Sequence, residues 1–140
     1  MRAVKSKLVI DGTGAVPIQG GIILVENDQI IEIGSEAIVK IPSGAEVIDL
    51  GGETVLPGFI EPHQHFLAMD ERPYADKVKD PDAYKALWAA RCVGEDLRSG
   101  VTTMRLLGSH GGWSFAFKKA VEDDVIAGPR IINAGRAIKT

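Results

Sequence analysis

Three short apolar segments, each separated from the next by a stretch of helical period, most narrow what this chain can fold into. They run from Val55 to Ile60, from Gly100 to Leu107 and from Arg130 to Ala134. Ahead of the second segment, Asp80-Pro81 reads as a helix start, a capping carboxylate followed by proline at the first helical position. Tyr84, Leu87, Trp88 and Cys92 then recur every three to four residues, up to a stop near Gly100. Ahead of the third, Trp113, Phe117, Ala120 and Val121 form a second stripe that ends before Gly128-Pro129. Strand, helix, strand, helix, strand at this spacing predicts βαβ units, a parallel sheet and right-handed crossovers. Such strands are ordinarily covered on both faces. They are therefore expected to be buried, with Trp88 in the core and Cys92 an inert buried thiol. Phe66 to Lys79, which mixes Asp70, Glu71, Arg72, Pro73 and Tyr74 without a period, reads as a loop.

The first 53 or so residues have a different character, with short strand-like runs and tight turns. Lys7 to Ile10 leads into the turn cluster Asp11-Gly12-Thr13-Gly14. Gly21 to Glu26 and Gln29 to Gly34 flank Asn27-Asp28, a hairpin signal because Asn and Asp tolerate positive φ. The alternation through Ile30 and Ile33 predicts a sheet with a covered face. Pro42-Ser43-Gly44 turns the chain into a further strand, Ala45 to Leu50. Residues 1–55 thus read as a small β module and residues 56–140 as an α/β unit.

Two of the three histidines, His63 and His65, stand at the end of the first apolar segment. On a strand, i and i+2 share one face, about 6.6 Å apart along the backbone. Two neutral imidazoles so placed can lean onto one ion at roughly 2.0 to 2.1 Å, the distance zinc prefers. Taken alone, the pair is either a metal-ligating couple or two polar residues leaving a strand. The third histidine, His110, lies in the glycine-rich stretch Gly108-Ser109-His110-Gly111-Gly112 after the second segment. It is either a loop histidine or a group near the substrate or metal; the stretch lacks the Gly-Lys-Ser/Thr tail of a phosphate loop. Glu61 and Arg105 are charges within otherwise apolar strands, and their mutual pairing is expected.

The run Val55-Leu56-Pro57-Gly58-Phe59-Ile60-Glu61-Pro62-His63-Gln64-His65 resembles the signature P-G-[FLM]-[IV]-D-x-H-x-H of the amidohydrolase superfamily, with Glu61 where that family usually has Asp. Asp11 to Gly14 and Glu26 to Gly34 resemble the N-terminal half of the β-sandwich that accompanies the family's barrel. Gly100 to Arg105 and Ala127 to Ile138 resemble the second and third strands of the subgroup containing imidazolonepropionase and metal-dependent prolidases. The resemblance implies an α/β fold: part of a β-sandwich, then the first three β-strands and two helices of a metal-dependent (β/α)8 TIM barrel. It implies hydrolysis of amide, peptide or cyclic amide C–N bonds by water activated on one or two divalent ions, zinc first, with Fe, Ni, Co or Mn as alternatives. His63 and His65 fall to the first metal, and His110 to the substrate side of the same mouth. The family's other ligands and its aspartate base lie on later strands, and Lys139 is not assigned to them.

Composition narrows the setting. Hydrophobic residues at 45% and charged ones at 25% are globular values. A net charge of -3 without a basic stripe argues against nucleic acid. No apolar run reaches the ~18 residues of a membrane span, and no signal-peptide core follows Met1, so a cytoplasmic protein is expected. A complete barrel needs ~250 residues. The 140 residues are therefore expected to be its N-terminal third, inactive alone, and to associate as a homo-oligomer or with the remainder of the polypeptide. The alternative is a non-catalytic α/β domain that serves as an assembly or folding unit.

Overall fold

A computed structural model describes residues 1–66, 70–108, 113–136 and 138, and its chain divides into two compact units, Met1–Pro57 and Gly58–Thr140. In the first, β1 (Arg2–Val9) is the central strand of a five-stranded sheet. It pairs antiparallel with β2 (Ile18–Glu26), which in turn pairs antiparallel with β3 (Gln29–Ser35). Its other side runs parallel to β4 (Glu46–Asp49) and β5 (Thr54–Val55). Asn27 and Asp28 have φ of 48° and 62°, the positive values that a two-residue hairpin matching strand twist requires. Asp11 Oδ1 accepts from the Thr13 amide and hydroxyl at 2.9 and 2.7 Å, which closes the predicted turn. β1 begins well ahead of the expected Lys7, because pairing from Arg2↔Val25 onward is made by backbone groups whatever the side-chain charge. Ala3, Ile22, Leu24 and Val39 form the core. The expected covered face does not extend to β3, where Ile30 is 60% and Ile31 50% exposed; β3 is an edge strand with no second neighbour among the described residues.

The second unit is a three-stranded parallel sheet in the order β6 (Phe59–Gln64), β7 (Val101–Leu106), β8 (Arg130–Asn133). The predicted βαβ order is present, with α2 (Asp82–Arg98) and α3 (Trp113–Glu122) as the crossover helices. Both pack on one face of the sheet, where Met104, Leu106 and Ile131 meet Ala89, Val93, Phe117 and Phe66. The strands are not buried throughout as expected. Phe59, Ile60 and Ile132 are exposed: the described residues place helices over one face only, and β6 is an edge strand with no second neighbour among them. Gly58 is needed where β6 begins, because a Cβ there would lie 2.1 Å from Thr102 Oγ1 on β7.

Four further expectations are corrected. The buried stripe of α2 is Ala86, Ala89, Ala90 and Val93 rather than the one through Tyr84 and Leu87; small residues let the helix approach the sheet, and Leu87 is left 72% exposed. Trp88 is half-buried, with the Arg91 guanidinium 5.2 Å from its ring centroid, while Cys92 is buried as expected. Asp80 does not cap α2. Pro81 is the N-cap, and the Asp80 carboxylate is taken by Arg72 Nη2 at 2.7 Å. The segment read as a loop contains a one-turn helix, α1 (Tyr74–Lys77). No helix is long and apolar enough to cross a membrane among the described residues.

Candidate metal centre

The site is built where the β6 ladder is least regular. Pairing with β7 shifts register between Phe59 and Ile60 and again between Glu61 and Gln64, before Gln64 meets Leu106. Bulges of this kind re-aim side chains and are frequent beside functional sites. His63 lies within the second shift and His65 just past the strand end, both exposed. Their Nε2 atoms face each other 3.1 Å apart, with ring centroids at 5.0 Å and planes at 67°. Two nitrogens bound tetrahedrally to one zinc ion stand about 3.3 Å apart, given Zn–N of roughly 2.0 to 2.1 Å. The separation is thus close to that of two ligands on one ion. Two lone pairs at this distance repel unless a proton or a cation lies between them.

Side chains, not the sheet, hold the histidine amides. The Glu61 carboxylate accepts from the His63 N–H at 2.8 Å, and Gln64 Oε1 accepts from the His65 N–H at 2.8 Å. Glu61 and Arg105 form no ion pair, contrary to expectation. Glu61 is turned back onto its own strand, and Arg105 Nε donates to the Pro62 carbonyl at 2.8 Å.

Helix α2 grips the same segment twice. Gln64 Nε2 donates to Asp96 Oδ2 at 2.8 Å, and one turn earlier Cys92 Sγ lies 3.7 Å from the Phe66 carbonyl oxygen. Burial pushes the Asp96 carboxyl above its ordinary range; the hydrogen bond from Gln64 opposes this, and Glu61 and Glu95 add to it. Burial likewise pushes the Cys92 thiol up to about 11, which suits an inert side chain.

Sequence reasoning missed Gln64 and Asp96. The available signal was Asp96 standing four residues beyond Cys92, a carboxylate continuing an apolar helix stripe.

His110 lies outside the described residues. Among the described residues no group of three or more His, Cys, Asp or Glu side chains is arranged to hold an ion. A cleft of about 480 Å³ lies beside α2, lined by Arg72, Tyr84, Trp88 and Glu95 among others, and it includes neither His63 nor His65. Four of its charged side chains are paired: Arg72 bridges Asp70 and Asp80 at 2.6 and 2.7 Å, and Arg91 meets Glu95 at 2.7 Å.

No protein-family model matches the chain. An enamidase of Eubacterium barkeri is 33% identical over 103 residues, 74% of this chain and 24% of the enamidase. The solved structure of a Xaa-Pro dipeptidase with methionine bound in its active site superposes with a TM-score of 0.83 at 26% identity, over 98% of this chain and 34% of that one. An amidohydrolase structure matches with a TM-score of 0.79 at 31% identity, over 96% of this chain and 32% of that one. The chain therefore spans about a quarter of the enamidase and a third of the two solved relatives.

Proposed function

Because the chain belongs to the amidohydrolase superfamily, we propose that it is the part of a metal-dependent hydrolase of amide, peptide or cyclic amide C–N bonds that carries the first two metal ligands. The names of its relatives share one chemistry, cleavage of a carbon–nitrogen bond. In this reading β1 to β5 are half of a β-sandwich, and β6 to β8 are the first three strands of a (β/α)8 barrel whose interior is the open face of the sheet. The consecutive parallel order and the two helices on one face support that assignment.

The observation that carries the reading is the 3.1 Å approach of the His63 and His65 Nε2 atoms at the end of a parallel strand. Both imidazoles would hold a divalent ion as neutral donors. A divalent ion bound there supplies Lewis acidity, lowering the pKa of water towards neutrality and polarising a carbonyl. The chain's own contribution is to fix the two rings. Glu61 and Gln64 accept the histidine amides, and Arg105 ties down the Pro62 carbonyl between them. Two imidazoles fill half of the four positions of a tetrahedral ion, so a working site takes its other ligands and its base from elsewhere.

The test has two parts. Zinc or cobalt binding by the protein should be lost in His63→Ala and in His65→Ala. The metal-loaded 140-residue chain should be inactive on amide and dipeptide substrates, and active only when polypeptide supplying the later barrel strands is added. Turnover by the chain alone that vanishes in His63→Ala would refute the division of the site. Metal binding unchanged in both histidine variants would refute the site itself and favour an assembly or folding unit.

A further inference from the structure

We propose that Gln64 and Asp96 are positioning residues for His65, joined as a relay from helix α2 to the main chain of the metal ligand. The inference rests on the reading of His63 and His65 as ligands, and it concerns what keeps them in register. Regular pairing with β7 is interrupted between Glu61 and Gln64 and resumes only at Gln64, whose carbonyl accepts from the Leu107 N–H at 3.1 Å, and His65 lies beyond the last strand residue with its ring unsupported by the ladder. The ladder alone therefore does not set how far the His65 ring reaches towards His63.

The relay supplies what the ladder lacks. A glutamine amide has a donor end and an acceptor end of nearly equal shape, and only its partners decide which way it faces. Here Oε1 must face the His65 N–H, and what enforces this is a pure acceptor at the other end, the Asp96 carboxylate 2.8 Å from Nε2. Reversal would set N–H against N–H at His65 and oxygen against oxygen at Asp96. The same helix face touches the chain again on the far side of His65, where Cys92 Sγ lies 3.7 Å from the carbonyl oxygen of Phe66, a residue only 2% exposed. His65 is thus bracketed by two anchors to α2, at residues 64 and 66. His63 has its own device, the Glu61 carboxylate on its amide. Both ligand amides are satisfied by side chains, so ring placement depends on residues that never touch an ion.

The proposal ranks substitutions. Gln64→Leu removes both ends of the relay, and Asp96→Ala removes the acceptor that orients it. Asp96→Asn keeps an oxygen that can accept from Nε2 and should largely rescue. The probe is Co2+ added to the purified protein and followed by its visible absorption. Gln64→Leu and Asp96→Ala should weaken Co2+ binding roughly 10- to 100-fold, the usual effect of removing a group that orients a ligand. Asp96→Asn should stay within a few fold of wild type, with far-UV circular dichroism unchanged in all three. A second measurement needs no metal. In metal-free protein the His65 amide should exchange with solvent slowly, and faster in both Gln64→Leu and Asp96→Ala. Wild-type Co2+ affinity in Gln64→Leu and Asp96→Ala, with binding lost in His63→Ala, would overturn the positioning role and leave the metal site standing. Co2+ binding unchanged in His63→Ala would instead remove the metal reading. The His65 exchange rates then decide: acceleration in both variants upholds the relay, and equal rates overturn it.

Discussion

In the first unit, every residue of β1 but Lys7 has a partner on β2, and the Lys7 amide donates to the Gly51 carbonyl instead. In the second, β6 has one neighbour among the described residues and slips register twice in six residues. The hairpin from β2 to β3 holds its turn with backbone dihedrals, whereas the end of β6 holds its amides with the side chains of Glu61 and Gln64. The difference is one of purpose. A regular ladder fixes every side chain at alternate faces and starts i and i+2 imidazoles about 6.6 Å apart along the backbone, so their nitrogens must lean together. An interrupted ladder allows that approach, and something else must then fix the chain. In this molecule the fixing is done by the core beneath the site, by a close contact at the start of β6, and by the polar relay to α2.

The largest expected effect separates these supports. Phe66 is 2% exposed, and its ring centroid lies 5.4 Å from that of Phe117 and 6.0 Å from that of Trp113. Phe66→Ala should cost about 3–5 kcal/mol by loss of burial and by the cavity left behind. Urea unfolding followed by tryptophan fluorescence reads the second unit directly, since both tryptophans, Trp88 and Trp113, lie in it. Ile30→Ala on β3, at a side chain 60% exposed and followed by the β2 and β3 amide signals because the first unit holds no tryptophan, should change stability by no more than about 0.5 kcal/mol. Equal losses for the two would mean that the exposed face of β3 is covered in solution.

Next in size is Gly58→Ala. A Cβ there would meet Thr102 Oγ1 at 2.1 Å and its Cβ at 2.6 Å, so the start of β6 must move away from β7. Overpacking of this kind costs about 1–3 kcal/mol. The shift should also appear as altered chemical shifts of the His63 and His65 rings. Unchanged ring signals alongside a stability loss would separate the strand's beginning from the site at its end.

How much of this was legible depended on the distance over which each signal acts. The Asn27-Asp28 turn, the strand and helix order and the His63-Gln64-His65 spacing are local, and the structure repeats them. The packed face of α2 was misread because bulky Tyr84, Leu87 and Trp88 drew the stripe, while contact with the sheet selected small Ala86, Ala89 and Ala90. The bond between Gln64 and Asp96 spans 32 positions, and its one local trace was the carboxylate four residues beyond Cys92, which did not point to Gln64. Glu61 and Arg105 were matched by charge, yet each found a backbone partner. Opposite charge in one sequence says little about which groups meet once amides and carbonyls compete.

A smaller effect tests the first unit's side of the comparison, at the β2–β3 hairpin, whose ladder shifts register once, between Leu24 and Val25. Asn27 has φ of 48°, a conformation that costs a β-branched residue roughly 1–2 kcal/mol. Asn27→Val should lose about that much, and Asn27→Gly should stay near wild type. The measurement is urea unfolding monitored at β2 and β3 amides. Equal stability of the two variants would show that the ladder, not the turn, dictates the hairpin.

The smallest effect concerns the loop beyond the candidate site, where Arg72 bridges Asp70 and Asp80 and the Lys77 ammonium donates to the Asp70 carbonyl. The hydrogen bond from Arg72 holds the Asp70 carboxyl below its ordinary value. A carboxyl depressed in the folded state contributes stability above its unfolded pKa of about 3.9, and that contribution is lost as pH falls through the folded value. Arg72 is 43% exposed, so water and salt screen the pair and the gain is modest. Asp70→Asn removes the depressed group but leaves Arg72 its contact with Asp80. The stability gap between wild type and Asp70→Asn should accordingly be widest near pH 6, narrow below pH 4 and shrink with added salt. Thermal melts of both proteins between pH 3 and 7 measure it. A gap that stays constant across that range would assign the loss to packing around the nearly buried Asp70 side chain instead of to its charge.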